Sequence, residues 1–447
     1  MTDATAAGAG PAPAIDAAAR RRILLYLCGL IFIISPAAPY HGLIAIPVSF
    51  FLKNRLHLPA SQVALFRLMT GAPLYVAFLF GFVRDSWSPF GRRDRGYFML
   101  FGGLTALVYV VFALLPVSYV SLLAGIALAT CSYLFLSSAW SGLTSTIGQQ
   151  QAMSGQLAAA YNIVASLPGL AALALGGALS DRLEGVRAGE VARTLFLIGA
   201  VLAAIIAVVG AWRPRAVYDN VHAEHGPRAH PIADIKRLAR HWPIYPALFI
   251  WFLWNFAPGG STPLQYYLQD TLHAKDSDWG LWNMVFGAGF IPTFALFGLL
   301  ARRYSLRRLL WWSTLFAVPQ YIPLLFVPTV NAALFAGAAM GLMGGAASAA
   351  YIALIIRSCP RGLQGTTLMA STAMYWIVSN FGDLLGTWLY DRFGHTFTVC
   401  VVAITIVYAL ILPALLLVPR RLIETPDGVA PKGGFHADEG AAEAVPA

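Results

Sequence analysis

Apolar residues fall in long runs along this chain, broken by short polar turns. The runs lie at about 23–52, 60–83, 96–116, 118–146, 153–179, 195–212, 244–268, 279–301, 309–327, 331–356, 366–389 and 397–418. Each is near or above the roughly 20 residues an α-helix needs to cross the hydrocarbon core of a bilayer, so the pattern predicts twelve transmembrane helices. The longest polar interruption, 213–243, follows the sixth run and carries Arg213, Arg215, Arg228, Lys236, Arg237 and Arg240. It divides the runs into two sets of six. Its Ile232–His241 portion predicts a short basic amphipathic helix on the membrane surface. The first run follows Arg20–Arg22, is about twice the length of a signal-peptide core and has no cleavage site, so it is expected to stay as a helix. Pro36, Pro39, Pro47, His41 and Gly42 within it predict an irregular helix that lines a cavity, where freed carbonyls find partners. The expected units are a disordered amino tail (1–19), a six-helix bundle (20–212), a cytoplasmic linker (213–243), a second six-helix bundle (244–421) and a disordered carboxyl tail (422–447).

Composition agrees with an all-α polytopic membrane protein. Apolar residues make up 58% and charged residues 11%, against about a quarter charged in a soluble domain. Mean hydropathy is +0.67. The net charge of +10 does not point to nucleic acid, because most basic residues sit between the apolar runs. With both termini placed in the cytoplasm, 22 of the 30 Lys and Arg residues fall on that side, as the positive-inside bias requires. A multi-pass inner-membrane protein with both termini cytoplasmic is expected. Cys28, Cys131, Cys359 and Cys400 lie in or beside apolar runs and read as packing residues, with neither metal-ligand spacing nor a disulfide framework. No Walker loop, H-E-x-x-H, C-x-x-C or G-x-S-x-G motif occurs, so neither ATP-driven work nor soluble hydrolytic chemistry is expected. No metal or other cofactor is expected.

The two sets of runs carry a weak internal repeat. The fifth run ends Gly176-x-x-Leu179-x-Asp181-Arg182 and the eleventh ends Gly386-x-x-Leu389-x-Asp391-Arg392, 210 residues later. The loop after the second run, Gly81 to Tyr97, has Gly81, then Asp85, a turn through Pro89 and Gly91, and the basic cluster Arg92, Arg93 and Arg95. The corresponding loop in the second half, Gly298 to Arg308, keeps the glycine and the arginines but has no acid.

This loop resembles the G-x-x-x-D … G-[RK]-[RK] loop between helices two and three of major facilitator transporters, with a longer turn. Other segments sharpen the likeness. They are QVALFRLMTGAPLYVAFLFG (62–81), LFIWFLWNFAPGGSTPLQYYL (248–268), RSCPRGLQGT (357–366) and NFGDLLGTWLYDRFG (380–394). Together they are similar to the folate–biopterin transporter family within that superfamily. Two departures are Ala77, where the family tends to carry lysine, and Gln364, where it carries an acid. The first removes an anchor for an anionic ligand and argues against folate. The ending Gly91-Arg92-Arg93-x-Arg95-Gly96-Tyr97 is also similar to muropeptide permeases and bacteriochlorophyll-associated carriers. The resemblance implies two six-helix bundles and transport of a small organic solute, pterin-like or another organic anion, by alternating access. It implies protons as the coupling ion, sodium being the other candidate, and a latch built from Gly81, Asp85, Gly91, Arg92, Arg93 and Arg95. A monomer in the lipid bilayer is expected. The rival readings are a muropeptide-permease-like carrier and a non-transporting membrane assembly factor of the same fold.

Charges inside apolar runs are costly and mark candidate sites. Arg67 is expected either to bind an anionic substrate or to snorkel to the surface. Asp383, three residues after Asn380 on the same helix face, is the candidate proton site or a carboxylate held by neighbouring backbone. The Pro- and Gly-interrupted seventh run supplies Trp254, Asn255, Gln265 and Tyr266 as substrate contacts. His41 and Asn380 complete the expected binding set.

Overall fold

The computed structural model of the chain describes residues 16–39, 43–44, 48, 51–52, 56, 60–115, 118–184, 188–219, 231–429 and 431, with the side chains of 172–184 and a few other helical positions left out. His41 and most of both predicted tails lie outside the described residues. Among the described residues there is no strand.

Helices stand at every predicted run. They are α1 (Ala17–Ile34), α2 in two pieces (Ala60–Tyr75 and Ala77–Ser86), α3 (Asp94–Leu114), α4 (Tyr119–Gln150), α5 (Ser154–Glu184) and α6 (Ala188–Ala211), followed by α7 (Ile244–Asn255, resuming at Thr262–Tyr266), α8 (Asp276–Leu300), α9 (Leu306–Ala317), α10 (Val330–Ser358), α11 (Gln364–Arg392) and α12 (Phe397–Ala409). Among the described residues, seven helical stretches are long and apolar enough to cross a membrane, or eight with the two pieces of α2 taken together. α11 falls short in hydropathy because it presents Thr366, Thr367, Ser371, Thr372, Ser379 and Asp383 along its length. A helix beside a polar cavity need not be apolar all round.

Local chemistry explains the starts and breaks. α4 begins with a capping box, in which the Ser118 hydroxyl accepts from the Ser121 N–H at 3.2 Å and Ser121 returns the bond at 2.9 Å. That pairs two N–H groups the first turn leaves open. α2 bends by 41° at Val76, three residues after Pro73, which has no N–H to give the helix. α7 stops at Asn255 because Pro258 and the left-handed Gly259 (φ +99°) interrupt it.

Chain regions before and after the linker build two main cores, and Ala158 and Ala159 of α5 pack into the second of them. Ile23, Leu27, Leu30, Tyr97, Phe98, Leu143 and Ile206 belong to one core; Ile250, Leu264, Phe297, Leu354, Ile404 and Ile411 belong to the other. α2 packs along α11 and α8 along α5, which are the long contacts between the halves. A helix also forms at Pro231–Arg240, and Arg237 donates to the Arg361 carbonyl, tying it beneath the α10–α11 turn.

The boundary expected at residue 421 falls inside packed structure. Arg420–Ile423 is a helical turn, Leu422 and Ile423 are buried in the second core, and Asp427 is 5% exposed. Polar composition suggested a tail there, and the buried Arg357 is what fixes it in place, as described below.

Candidate transport cavity and gate

A cavity of about 620 Å³ lies between the two halves. α4 and α5 supply Tyr133, Trp140, Thr144, Tyr161 and Asn162; α7 supplies Trp251, Trp254 and Asn255; α8, the turn after α9, and α12 supply Phe286, Phe290, Gln320, Tyr321 and Tyr408; α11 supplies Tyr375, Trp376 and Asp383. The walls are aromatic and pre-packed. Trp140 lies 4.8 Å from Tyr161 and Trp254 lies 4.9 Å from Tyr408, centroid to centroid. The Trp251 indole donates to the Ser371 carbonyl at 2.9 Å and the Trp140 indole to the Leu27 carbonyl at 2.9 Å. Such rings are held rigidly and lose little freedom when a flat ligand slides between them. The Thr144 hydroxyl and the Gln320 amide oxygen are buried with no partner among the described residues. Among the described lining residues there is no Lys or Arg, and Asp383 is the one carboxylate.

Asp383 sits where α11 passes the break in α7. Its Oδ1 accepts from the Thr262 N–H at 2.8 Å and its Oδ2 from the Thr262 hydroxyl at 2.6 Å. It therefore caps the resumed half of α7 while facing the cavity. The close passage depends on glycine. A Cβ on Gly386 would overlap the backbone of Gly259, and one on Gly259 would overlap Cys400 of α12.

At the end of the bundle where the Arg-rich loops and both described chain ends gather, the halves close on each other. Asp85, at the end of α2, caps the first turn of α11. Its Oδ2 accepts from the Thr366 N–H at 2.7 Å and hydroxyl at 2.7 Å, and its Oδ1 from the Gly365 N–H at 3.2 Å. Arg84 bridges Asp85 at 2.7 Å and Asp94 at 2.6 Å. Gly81 lies against the Gly365 carbonyl with no room for a Cβ, which would also stand 2.7 Å from Thr366 Cα. Nearby, the Gln149 amide donates to the Ile356 carbonyl at 2.9 Å and the Cys359 carbonyl at 2.7 Å. Cys359 is 1% exposed, and burial pushes its thiol up to about 12, so it stays protonated and inert in this closed arrangement. Farther along the same two helices, near their middle, the Asn380 amide of α11 donates to the Tyr75 hydroxyl of α2 at a long 3.3 Å.

The residues singled out from sequence are distributed as follows. Trp254, Asn255 and Asp383 line the cavity, and Asp85 and Gly81 stand at the closed end. Arg67 is exposed and off the cavity; Phe66 and Thr70 take the packed face of α2, and the long arginine keeps its charge outside. Gln265 and Tyr266 belong to the resumed half of α7 and do not line the cavity; Tyr266 is half exposed. Asn380 does not pair with Asp383. Its amide donates to the Trp376 carbonyl at 2.7 Å, because an α11 carbonyl one turn back is nearer than an acid already held by Thr262. His41 lies outside the described residues. Among the basic cluster, Arg95 clamps the C-terminal carbonyls of α6, Gly210 at 3.1 Å and Ala211 at 2.5 Å, a favourable place for a cation. Arg92 and Arg93 are exposed, and Gly91 supplies the left-handed turn at φ +63°. Sequence reasoning passed over Arg84, Asp94, Gly365, Thr366, Arg357 and Asp427. The repeat contains one signal for two of these, since Gln364-Gly365-Thr366 stands 210 residues after Ser154-Gly155-Gln156.

Comparison with known proteins follows the same lines. A curated folate-biopterin transporter from Synechocystis sp. (strain ATCC 27184 / PCC 6803 / Kazusa) is 25% identical over 381 residues, covering 78% of this chain and 72% of that protein. Two solved structures share the fold. FucP, a major facilitator transporter in its outward conformation, superposes with TM-score 0.67 at 15% identity over 89% of this chain and 98% of that one. The proton:xylose symporter XylE, bound to 6-bromo-6-deoxy-D-glucose, gives TM-score 0.64 at 12% identity over 93% and 98%. A family model described as Major Facilitator Superfamily matches residues 150–382 and 256–441. With the helical fold and the cavity between the halves, these matches make the chain a transporter of the Major Facilitator Superfamily.

Proposed function

We propose that the protein is a proton-coupled secondary transporter of a flat, uncharged heteroaromatic solute, such as a free pterin, and that it works by alternating access of two six-helix bundles, 20–212 and 244–428. The cavity lining carries this reading. Aromatic walls favour a planar ring, and Asn162, Asn255, Ser141 and Thr372 among the lining residues offer that ring hydrogen-bonding groups. Among the described lining residues no cation waits for a carboxylate, so a pterin fits better than folate with its glutamate. The curated relative's name points to the same chemical class. The basic end is taken as cytoplasmic by the placement of Lys and Arg, in an inner membrane. On that orientation the closed contacts at Asp85 and Gln149 put the protein in an outward-facing state. Asp383 is the proposed proton site, and Asp85 with Gly81 and Arg84 is the proposed latch.

Uptake into proteoliposomes with an imposed pH gradient tests the reading. A labelled neutral pterin should accumulate when the outside is acidic, and folate should compete weakly. Binding should also quench the fluorescence of Trp251 and Trp254. No gradient-dependent flux of any pterin, or folate preferred over pterin, would overturn the assignment; no flux of any solute would point to an assembly factor.

The latch has its own expected outcome. Asp85→Asn keeps one acceptor for Thr366 but loses the charge, so the closed state should weaken by about 1.5 kcal/mol, the low end for hydrogen bonds to charged groups. Uptake should fall several-fold with normal membrane insertion. Unchanged uptake by a well-inserted Asp85→Asn protein would reduce the loop to an anchor.

A further inference from the structure

Asp85 has a counterpart that comes from an unexpected part of the chain. The first turn of α5 is capped by Asp427, on the segment that follows α12. Asp427 Oδ1 accepts from the Gly155 N–H at 3.2 Å and Oδ2 from the Gln156 N–H at 2.8 Å. Gly155 and Gln156 stand 210 residues before Gly365 and Thr366, the pair capped by Asp85 at 3.2 Å and 2.7 Å. By the internal repeat, the acid for α5 should stand at the end of α8, as Asp85 stands at the end of α2. The chain there reads Gly298-Leu299-Leu300-Ala301-Arg302 and holds no acid. Asp427 takes that place. Its own N–H donates to the Ala301 carbonyl at 2.8 Å, and the next N–H, from Gly428, reaches the Ala152 carbonyl at 2.7 Å.

A cation completes the likeness. Arg357, at the end of α10, bridges Asp427 at 2.9 Å with both side chains almost wholly buried, 2% and 0% exposed. It also donates to the Ser154 hydroxyl at 2.6 Å and to the carbonyls of Leu422 at 3.0 Å and Thr425 at 2.8 Å. Arg357, Leu422 and Ile423 bind the segment to the second half, while Ser154, Gly155 and Gln156 belong to the first. The bonds between Asp427 and α5 therefore cross the plane along which the halves must part. A buried carboxylate released from these donors loses far more than an exposed one.

We propose that Asp427 is the acid of a second latch, that Arg357 positions it, and that the segment 420–428 is a working part of the transport cycle and not an inert tail. This rests on the alternating-access reading. The test therefore follows the gate itself, without any transported solute. Cys359 lies in the closed end and Cys400 in the core of the second half, both buried. Two single-cysteine proteins, one keeping Cys359 and one keeping Cys400, are reconstituted in nanodiscs and treated with N-ethylmaleimide. Asp427→Asn should speed alkylation of Cys359 by about tenfold, the factor that corresponds to roughly 1.4 kcal/mol, and leave Cys400 unreacted. Equal acceleration at both cysteines would mean general loosening and overturn the proposal, as would no acceleration at Cys359. If Asp427→Asn does not insert, Ser154→Ala carries the test. It removes one hydroxyl from the Arg357–Asp427 cluster at a fully buried helix start and should speed Cys359 alkylation in the same direction by a smaller factor; an unchanged rate there overturns the proposal.

Discussion

A Gly81→Ala protein should fold and insert normally yet lose transport by about tenfold or more. The added Cβ would overlap the Gly365 carbonyl oxygen and lie 2.7 Å from the Gly365 carbonyl carbon and Thr366 Cα. All three are backbone atoms at the start of α11, so no side chain can swing aside. Overpacking of this kind costs roughly 1–3 kcal/mol, which is about tenfold or more in the population of the closed state. The cost falls on that state alone, since parting the halves takes Gly81 away from Gly365. Within α2 itself alanine is the better helix former by about 1 kcal/mol, which offsets part of that cost, so thermal stability should change little or fall slightly. The expected signature is lower uptake and faster alkylation of Cys359, with at most a small drop in melting temperature. A helix that merely anchored the loop would tolerate the change, and full uptake by Gly81→Ala would rule out a close approach of α2 and α11 as a step of the cycle.

Both the spans and Asp85 were legible because their signals are local. Apolar runs declare membrane helices by length, and one acid between a conspicuous glycine and an arginine cluster draws attention. The partners were not legible. Asp85 and Asp427 are held mainly by backbone N–H groups of helices hundreds of residues away, and a backbone donor has no residue type to give it away. Only the small residue that admits the carboxylate leaves a trace, Gly365 in one half and Gly155 in the other. The arginine cluster misled for a related reason. Arg92, Arg93 and Arg95 look like the cation for Asp85, but Arg92 and Arg93 face outward, Arg95 holds the α6 carbonyls, and Arg84 makes the ion pair with Asp85. Arg67 shows the same limit. A charge within an apolar run is conspicuous, yet which face of α2 it occupies depends on the packing of Phe66 and Thr70. Asn380 was matched to Asp383 by helical spacing, but the break at Pro258 and Gly259 frees the Thr262 N–H, and an open helix end competes better for a carboxylate than a neighbouring amide does.

Asp383→Asn should still bind solute and exchange it across the membrane, but it should no longer concentrate solute against its gradient when the outside is acidified. The geometry explains why binding survives. The asparagine oxygen can accept from the Thr262 N–H as Oδ1 now does at 2.8 Å, and the Thr262 hydroxyl, now donating at 2.6 Å, can turn to accept from the new NH2. The resumed half of α7 thus stays capped in the variant. A group that can change its proton is what disappears. On the proposed coupling, a proton arriving on Oδ2 would take the place of the one donated by Thr262, turn that oxygen from acceptor to donor, and alter the hold of α11 on the broken helix beside the cavity. That contact would then link proton binding to the position of the resumed part of α7, whereas the asparagine side chain is neutral at every pH. Loss of accumulation should therefore be near complete, while counterflow of labelled solute persists. Thr262→Val separates this from simple capping, since it removes the hydroxyl but keeps the N–H; it should lower uptake partially and retain the dependence on the pH gradient. If Asp383→Asn still concentrates solute with the normal pH dependence, Asp383 is a structural cap and the proton travels elsewhere. If both variants lose binding and exchange together, the carboxylate serves to hold α7 and not to couple ions.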